Sequence, residues 1–284
     1  MRFKIAFRNI TRHRLRSILT IGMIASAVCS IVLFHGLTDY FLESLKEIAA
    51  ETQFGNLQIA KETYWSPGKE DRKERMFNMA LLDKTIKLHP EVTQVSGRLS
   101  FYGLVSNGDL SISGRAIGID SSKEPSVVKA IKILKGEFFR PNEKEVIIGG
   151  MLAEQMGVKP GDDVTVLTNT VDGVMNALDM KVAGIFTAGI DEIDSQVIYM
   201  PLSIAQSIID TTDVDIAVLR LSDLELAETN LDKLNQNLKS NIIDEKMSLR
   251  ARTWKDLAVL YRQCEKFYLV QNRLIETILL ALMF

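Results

Sequence analysis

Few side chains in this sequence have the types and spacing that chemistry requires. The acidic run Asp191-Glu192-Ile193-Asp194 could supply oxygen ligands to calcium, although three acids in a loop usually form a solvated surface. His35 and Asp39 are four residues apart and would share one helix face, where they could form a proton or ion site or a simple polar pair. In both places we expect the simpler interpretation, a charged surface loop and a polar pair.

No motif of the common catalytic classes is present. Gly68-Lys69 is followed by Glu70 and so does not complete a phosphate-binding loop, and neither Gly-x-Ser-x-Gly nor Cys-x-x-Cys occurs. The three histidines lie far apart, and the only cysteines, Cys29 and Cys264, exclude a disulfide framework. We therefore predict no catalytic, metal-binding or cofactor-binding residue and no enzyme activity in this chain.

The charge pattern excludes a nucleic-acid-binding surface. Net charge is −2 with 25% charged residues, and the basic residues after Asp39 are interleaved with acids. Four methionines could line an adaptable apolar groove, but we favour core packing for them. They are Met151, Met156, Met175 and Met180.

The strongest signal is an apolar stretch that follows a purely basic one. Residues 18–37 read ILTIGMIASAVCSIVLFHGL, and at about 1.5 Å per residue such a helix spans the hydrocarbon core of a bilayer. The basic residues before it are Arg2, Lys4, Arg8, Arg12, Arg14 and Arg16, and the first acid is Asp39. This bias predicts a cytoplasmic segment at 1–16, a transmembrane helix at 17–37 and an extracytoplasmic domain after it. We predict that Arg8, Arg12, Arg14 and Arg16 set the orientation of this helix by keeping the amino terminus in the cytoplasm.

Two processed forms compete with a retained membrane helix. Ala25-Ser26-Ala27 has the small-x-small form of a signal-peptide cleavage site, and Cys29 could end a lipoprotein signal. However, Ile31–Phe34 continue the apolar run past the first site, and Val28 precedes Cys29 where Gly or Ala is usual. We therefore predict that the helix is retained.

The carboxyl end has a second apolar segment, residues 274–284, with the sequence LIETILLALMF. Eleven residues are too few to cross a bilayer, and the segment is apolar on all sides after Glu276. We interpret it as the truncated start of a second transmembrane helix in a longer polypeptide. The alternative is an amphipathic helix that packs on its own domain, with Glu276 in the headgroup layer or against a helix partner.

Between the two apolar segments, strand and helix patterns alternate without a clean repeat, which predicts an α+β domain. We place this domain at 38–273 and divide it into an outer lobe, about 100–187, and an inner lobe formed by the sequence on either side. Residues 61–75 are predicted to be a loop. Residues 38–52 and 254–273 are predicted to form a helical stalk, with Trp254 and Arg273 marking an uninterrupted return to the membrane.

Four segments, in this order, resemble one protein family. They are Phe7–Ser17 before the first apolar stretch, Gly149–Asp162 (GGMLAEQMGVKPGD), Val182–Pro201 (VAGIFTAGIDEIDSQVIYMP), and Trp254 with the helix after it. The chain resembles the permease subunit of bacterial ABC transporters that include lipoprotein-releasing and macrolide-exporter permeases, the MacB-like and FtsX-like family. The matching segments extend over nearly the whole of this chain. They correspond to the amino-terminal portion of the permeases in that family.

The resemblance implies a fold, partners and a location. The fold would be a transmembrane helix, a two-lobed MacB-type periplasmic core and the start of a second membrane helix, in the bacterial inner membrane with a cytoplasmic amino terminus. Partners would be an ABC ATPase that binds ATP, a second permease subunit in a homo- or heterodimer, and the lipid membrane. The stalk would transmit ATPase motion outward (mechanotransmission) to release a lipoprotein or export a lipophilic substrate. The rival hypothesis is a membrane-anchored binding or signalling module without transport.

Overall fold

The computed structural model describes residues 14–65, 72–241 and 248–283. These residues group into two compact units, one formed by the described residues of 14–46 and 260–283 and the other by those of 47–259. The second unit is called the domain below.

The first unit contains two long helices, α1 (Arg14–Glu47) and α11 (Val259–Met283), each of which begins or ends at the border of the domain. Helix α1 exposes ten large apolar side chains between Leu15 and Leu37 and buries only Thr38. It is the one helix of the described residues that is long and apolar enough to span a membrane, with a mean hydropathy of 2.3. Helix α1 therefore corresponds to the predicted amino-terminal membrane helix. The assignment of 274–284 to a second membrane helix stays a prediction.

The domain is built on a mixed sheet of ten strands. The strands are β1 (Leu57–Lys61), β2 (Val92–Ser106), β3 (Ser111–Ile119), β4 (Lys132–Gly136), β5 (Glu145–Gly149), β6 (Asp163–Asn169), β7 (Met175–Thr187), β8 (Val197–Pro201), β9 (Ile216–Leu221) and β10 (Leu249–Thr253). Their order is β10-β1-β9-β2-β3-β8-β5-β7-β4, and β6 pairs with β2 and β7. Only β3–β8 and β5–β7 are parallel pairs. This mixture of sheet and helices confirms the α+β prediction.

Strand β2 joins the two halves of the sheet. Its first half, from Val92 to Arg98, pairs with β9, and its second half, from Leu99 onward, pairs with β3. The largest apolar core, which includes Phe101, Ile148 and Ile198, lies on one side of this change of partner, and the core around Ile59 and Leu219 lies on the other. The limits of the outer lobe at about 100 and 187 stay a prediction.

The domain also contains short helices around the sheet. They are the π-helix Ile48–Gln53, α2 (Glu62–Trp65), α3 (Arg72–Arg75), the 3-10 helix Met79–Leu82, α4 (Asp83–Ile86), α5 (Pro125–Ala130), α6 (Gly150–Met156), α7 (Asp191–Asp194), α8 (Leu202–Ile209), α9 (Leu226–Asn241) and α10 (Trp254–Leu257). The Gly149–Asp162 motif forms the end of β5, helix α6 and the turn into β6. Helix α6 ends at Gly157, whose φ of 69° lies in the left-handed region that glycine adopts readily.

The structure corrects two local predictions. Residues 61–75 are not all loop, because α2 and α3 occupy their two described ends. The helix that begins at Trp254 is not continuous, since α10 ends at Leu257 and Ala258 has a non-helical backbone (φ −77°, ψ 76°). Trp254 and Ala258 are buried in the domain, whereas Val259 and Leu260 are exposed. Burial of the first turn thus separates it from the long helix that follows.

Candidate functional site

A buried ion pair joins three segments of the domain. The guanidinium of Arg98 on β2 donates through Nε to both carboxylate oxygens of Glu124, at 3.1 and 2.9 Å, and through Nη2 to Oε2. Its Nη1 donates to the backbone carbonyl of Gln53 in the π-helix. Glu124 is 5% exposed and directly precedes α5. The pair therefore ties the π-helix, β2 and α5 to one another.

Burial and the opposite charge of Glu124 have opposing effects on the protonation of Arg98. Burial lowers the pKa of Arg98, but the adjacent Glu124 carboxylate outweighs burial and raises the pKa above its usual value. The hydroxyl of Ser96 donates to Glu124 Oε1 at 2.9 Å, which satisfies a further acceptor site. A buried charge is tolerated when it is paired and hydrogen-bonded in this way.

A second buried acid, Asp215, lies among cations. Its Oδ2 accepts the backbone N–H of Ser100 at 2.8 Å. Burial raises the pKa of Asp215, and this N–H together with Arg72, Arg75 and Arg115 opposes the rise. Three guanidinium groups thus act on a single carboxylate.

Two aromatic residues of α2, Tyr64 and Trp65, lie near Asp215 and Ser100. Burial and the charge of Asp215 raise the pKa of the Tyr64 hydroxyl, which hydrogen-bonds to the side chain of Ser100. The rings of Tyr64 and Trp65 meet edge to face, 5.7 Å between centroids. The guanidinium of Arg252 lies 4.8 Å from the centroid of the Trp65 ring, within the range of a cation–π contact.

Tyr64, Trp65 and Arg98 border a cavity of about 360 Å³ in the domain. Nine of its fourteen lining residues are aromatic or aliphatic, and they include Phe54, Tyr64, Trp65, Ile193, Tyr199 and Leu257. Its polar walls include Ser100, Arg98 and Arg115. The volume lies at the lower end of the range for small-molecule sites, and a mainly apolar lining with a few polar groups is typical of such sites.

The two connections of the domain to the rest of the chain lie side by side. Leu57, at the start of β1, is the register partner of Thr253, at the end of β10. The buried Asn56 links both connections, because its carbonyl accepts the N–H of Trp254 at 3.1 Å. Its side-chain oxygen accepts the N–H of Leu221, at the end of β9, at 2.9 Å. The role of Asn56 was not predicted from the sequence.

The residues predicted to orient the first membrane helix lie apart in the sequence from those predicted to mark the return of the chain to the membrane. Arg8 and Arg12 lie outside the described residues, and Arg14 and Arg16 are exposed in the first turn of α1. Trp254 is 6% exposed and begins α10, where Thr253 and Asp256 form a capping box. Arg273 is exposed on α11. Their assigned roles stay predictions.

Two further predictions need correction. Asp194 does not lie on a solvated surface: it is 7% exposed and accepts hydrogen bonds from the Thr187 hydroxyl and, at 2.7 Å, from the Ala188 N–H, so it closes the loop after β7. Among the four methionines, Met156 and Met180 are core residues as expected, but Met151 and Met175 are 40% and 70% exposed. Within the described ranges, no three acids, histidines or cysteines are placed to hold a metal ion.

Sequence analysis missed Arg98, Glu124 and Asp215. A usable signal existed for Arg98, since it stands within a largely apolar stretch that forms β2, among residues that become buried. A charged residue in such a strand requires a partner. The sequence does not indicate which acid fulfils this requirement, because Glu124 is 26 residues away.

Comparison with known proteins agrees with this architecture. Residues 17–236 match the family of the MacB-like periplasmic core domain. Two solved structures have a similar fold. The periplasmic region of MacB from Actinobacillus actinomycetemcomitans is 16% identical, with a TM-score of 0.52, over 76% of this chain and 94% of that one. The extracellular domain of the noncanonic ABC-type transporter YknZ from Gram-positive bacteria is 15% identical, with a TM-score of 0.50, over 70% of this chain and all of that one.

At these identities the two structures support the fold alone, and no curated protein matches the sequence significantly. The family match is stronger, because it extends over most of the chain and includes most of α1 and all of β1 to β9. The chain therefore belongs to the family of the MacB-like periplasmic core domain, which occurs in permeases of ABC-type transporters.

Proposed function

We propose that this chain is part of a permease subunit that transmits the motion of a partner ATPase to its extracytoplasmic domain. The observation that carries the proposal is the pairing of Leu57 with Thr253, which brings the incoming and outgoing connections of the domain together. Two membrane helices that move in response to ATP would then act on one edge of the sheet. A binding module on a single anchor has no need for this arrangement.

The π-helix Ile48–Gln53 is the proposed point at which motion enters the domain. It directly follows α1 in the chain, and π-helical turns are rare and are often found at functional positions. Gln53 is hydrogen-bonded to Arg98, and Arg98 is paired with Glu124 at the start of α5. A displacement of the π-helix would therefore reach β2 and α5 through this ion pair.

The remaining parts of the proposal follow from the family. ATP would bind to a separate ABC ATPase, and a second permease subunit would complete a homo- or heterodimer in the bacterial inner membrane. The amino terminus would be cytoplasmic, and the substrate would be a lipoprotein or a lipophilic compound. The alternative, a membrane-anchored binding or signalling module, is favoured by the cavity in the domain.

Labelling of single cysteines tests the topology. The free Cys29 and Cys264 are replaced by Ser, and Asp109→Cys, at the exposed tip of the β2–β3 hairpin, reports on the domain. A membrane-impermeant maleimide should label Asp109→Cys in intact spheroplasts, and Lys4→Cys only after permeabilisation. Replacement of Arg12, Arg14 and Arg16 by Glu should reduce labelling of Asp109→Cys. Unchanged labelling would contradict the assigned role of these arginines.

Hydrogen exchange tests transmission. The native complex is purified from membranes and compared in its ATP-bound and ADP-bound states. Nucleotide should change exchange in the π-helix and in α5, and Arg98→Met should remove the change in α5 while the change in the π-helix remains. Nucleotide-independent exchange, or the absence of any ABC ATPase from the complex, would favour the binding module.

A further inference from the structure

The cavity in the domain has walls of two kinds. Most of its surface is formed by aromatic and aliphatic side chains, with Trp65 and Tyr199 among them. The Arg115 guanidinium lies in the polar part of the wall, near Ser100 and Tyr64. An apolar interior next to a cation suits a ligand that is itself apolar at one end and negatively charged at the other.

The positive charge beside the cavity exceeds the negative charge. Arg72, Arg75 and Arg115 all act on Asp215, so three guanidinium groups face one carboxylate. Burial lowers the pKa of Arg72, an effect that Asp215 opposes and Arg75 reinforces. Cations removed from water are costly unless a counter-charge is present.

Two of these arginines retain unused donors. Within the described part of the chain, the Arg115 guanidinium makes no hydrogen bond or ion pair, and the buried Nε of Arg75 has no hydrogen-bond partner. Arg98, the other cation in the wall, is already bound to Glu124 and Gln53. The Arg75 donor lies outside the cavity lining, whereas Arg115 lines the cavity and, among the described residues, has its guanidinium donors unused. Arg115 is therefore the group best placed to bind an anion in the cavity.

We propose that this cavity binds a small organic anion, with its acidic group paired with Arg115 and its apolar body against Trp65 and Tyr199. A volume of about 360 Å³ admits a ligand of modest size. The proposal goes beyond the transport function, because it requires only the folded domain and no ATPase. Its test can therefore fail without affecting the permease assignment, and the reverse is also true.

The probe is 4-phenylbutyrate, which has a carboxylate and an apolar body and does not absorb where tryptophan is selectively excited. The full chain is used in detergent. Only two tryptophans are present, both in the domain, and Trp65 lines the cavity, so tryptophan fluorescence reports binding. The neutral 4-phenylbutanamide tests the need for charge, and acetate tests the need for an apolar body. We expect 4-phenylbutyrate to bind at least about tenfold more tightly than either, because charge-assisted hydrogen bonds contribute at least that factor.

Variants with opposite expected effects separate a binding defect from a folding defect. Arg115→Met should weaken binding of 4-phenylbutyrate by about tenfold or more and leave binding of the amide unchanged. Asp215→Asn removes a competing negative charge near Arg115 and should tighten binding of 4-phenylbutyrate, which misfolding would not do. Arg140→Met is the matched control, because Arg140 is an exposed arginine outside the cavity lining, and it should bind like the wild type.

The proposal is overturned if the acid and the amide bind equally, or if neither binds. It is also overturned if Arg115→Met, with a wild-type melting temperature, binds the acid as the wild type does. If that variant does not fold, the outcome with Asp215→Asn decides: tighter binding of the acid supports the proposal and unchanged or weaker binding overturns it.

Discussion

Removal of the Glu124 carboxylate should destabilise the domain more than the loss of an ordinary ion pair. Glu124→Ala leaves the guanidinium of Arg98 buried without its counter-charge, while Gln53 still accepts one of its hydrogen bonds. The side chains of Arg98 and Glu124 are only 11% and 5% exposed, so water cannot readily replace the carboxylate. Breaking a buried pair from one side typically costs about 3–5 kcal/mol. For a domain of this size the melting temperature should fall by roughly 6–20 °C.

A surface pair provides the matched control. Arg250 and Glu62 are 3.0 Å apart, but their side chains are 55% and 53% exposed. Glu62→Ala should therefore cost no more than about 1 kcal/mol. Both substitutions remove a glutamate that is paired with an arginine, so the comparison isolates the effect of burial.

The assay is thermal unfolding of the full chain in detergent, followed by tryptophan fluorescence. Both tryptophans, Trp65 and Trp254, lie in the domain, so helices α1 and α11 do not contribute to the signal. The double variant Arg98→Met/Glu124→Ala should be less destabilised than Glu124→Ala alone, because it removes the uncompensated charge. If Glu124→Ala lowered the melting temperature no more than Glu62→Ala does, the reasoning about the buried pair would be wrong.

Three further predictions use the same unfolding assay. Burial raises the folded-state pKa of Asp215 above the usual aspartate value of 3.8. The stability that its protonated form contributes is therefore complete below that value and is lost as pH rises through the folded-state pKa. The melting temperature of Asp215→Asn relative to wild type should be higher at pH 7 than at pH 3.5, and a pH-independent difference would contradict this. Gly149→Ala would place a Cβ atom 2.4 Å from the carbonyl oxygen of Asp194 and should cost about 1–3 kcal/mol, whereas an unchanged melting temperature would show that this backbone contact can relax. Thr253→Ala removes the hydroxyl that accepts the N–H of Asp256 and should cost about 1 kcal/mol; Thr253→Ser should retain most of the stability, and equal loss in both variants would exclude the cap as the cause.

The elements that sequence analysis could predict are those with a strong local pattern. The apolar run 18–37 lies within α1. Asn107-Gly108, a residue pair typical of hairpin turns, lies between β2 and β3, which pair with each other. Their physical causes, membrane-length hydrophobicity and a turn with φ of 98° at Gly108, act within a few residues. Such causes are visible without knowledge of the fold.

The candidate site could not be predicted in the same way, because distant segments form it. Arg98 meets Glu124 and Gln53 only after β2 and α5 are in place, and Asp215 reaches Ser100 from 115 residues away. The break at Ala258 was missed for a similar reason. Helix propensity favours continuation through Trp254–Val259, and it is the burial of Trp254 in the domain that ends the first turn.

The pairing of β1 with β10 has a consequence for biosynthesis. Strand β1 emerges from the ribosome soon after α1, but one of its two neighbours, β10, lies about 200 residues later in the chain. At about 5–20 residues per second, β1 has an unpaired edge for roughly 10–40 s. An open strand edge is prone to pair with other chains. We therefore expect the nascent β1 to need protection from aggregation, by a chaperone or by delayed collapse, until Thr253 has been synthesised.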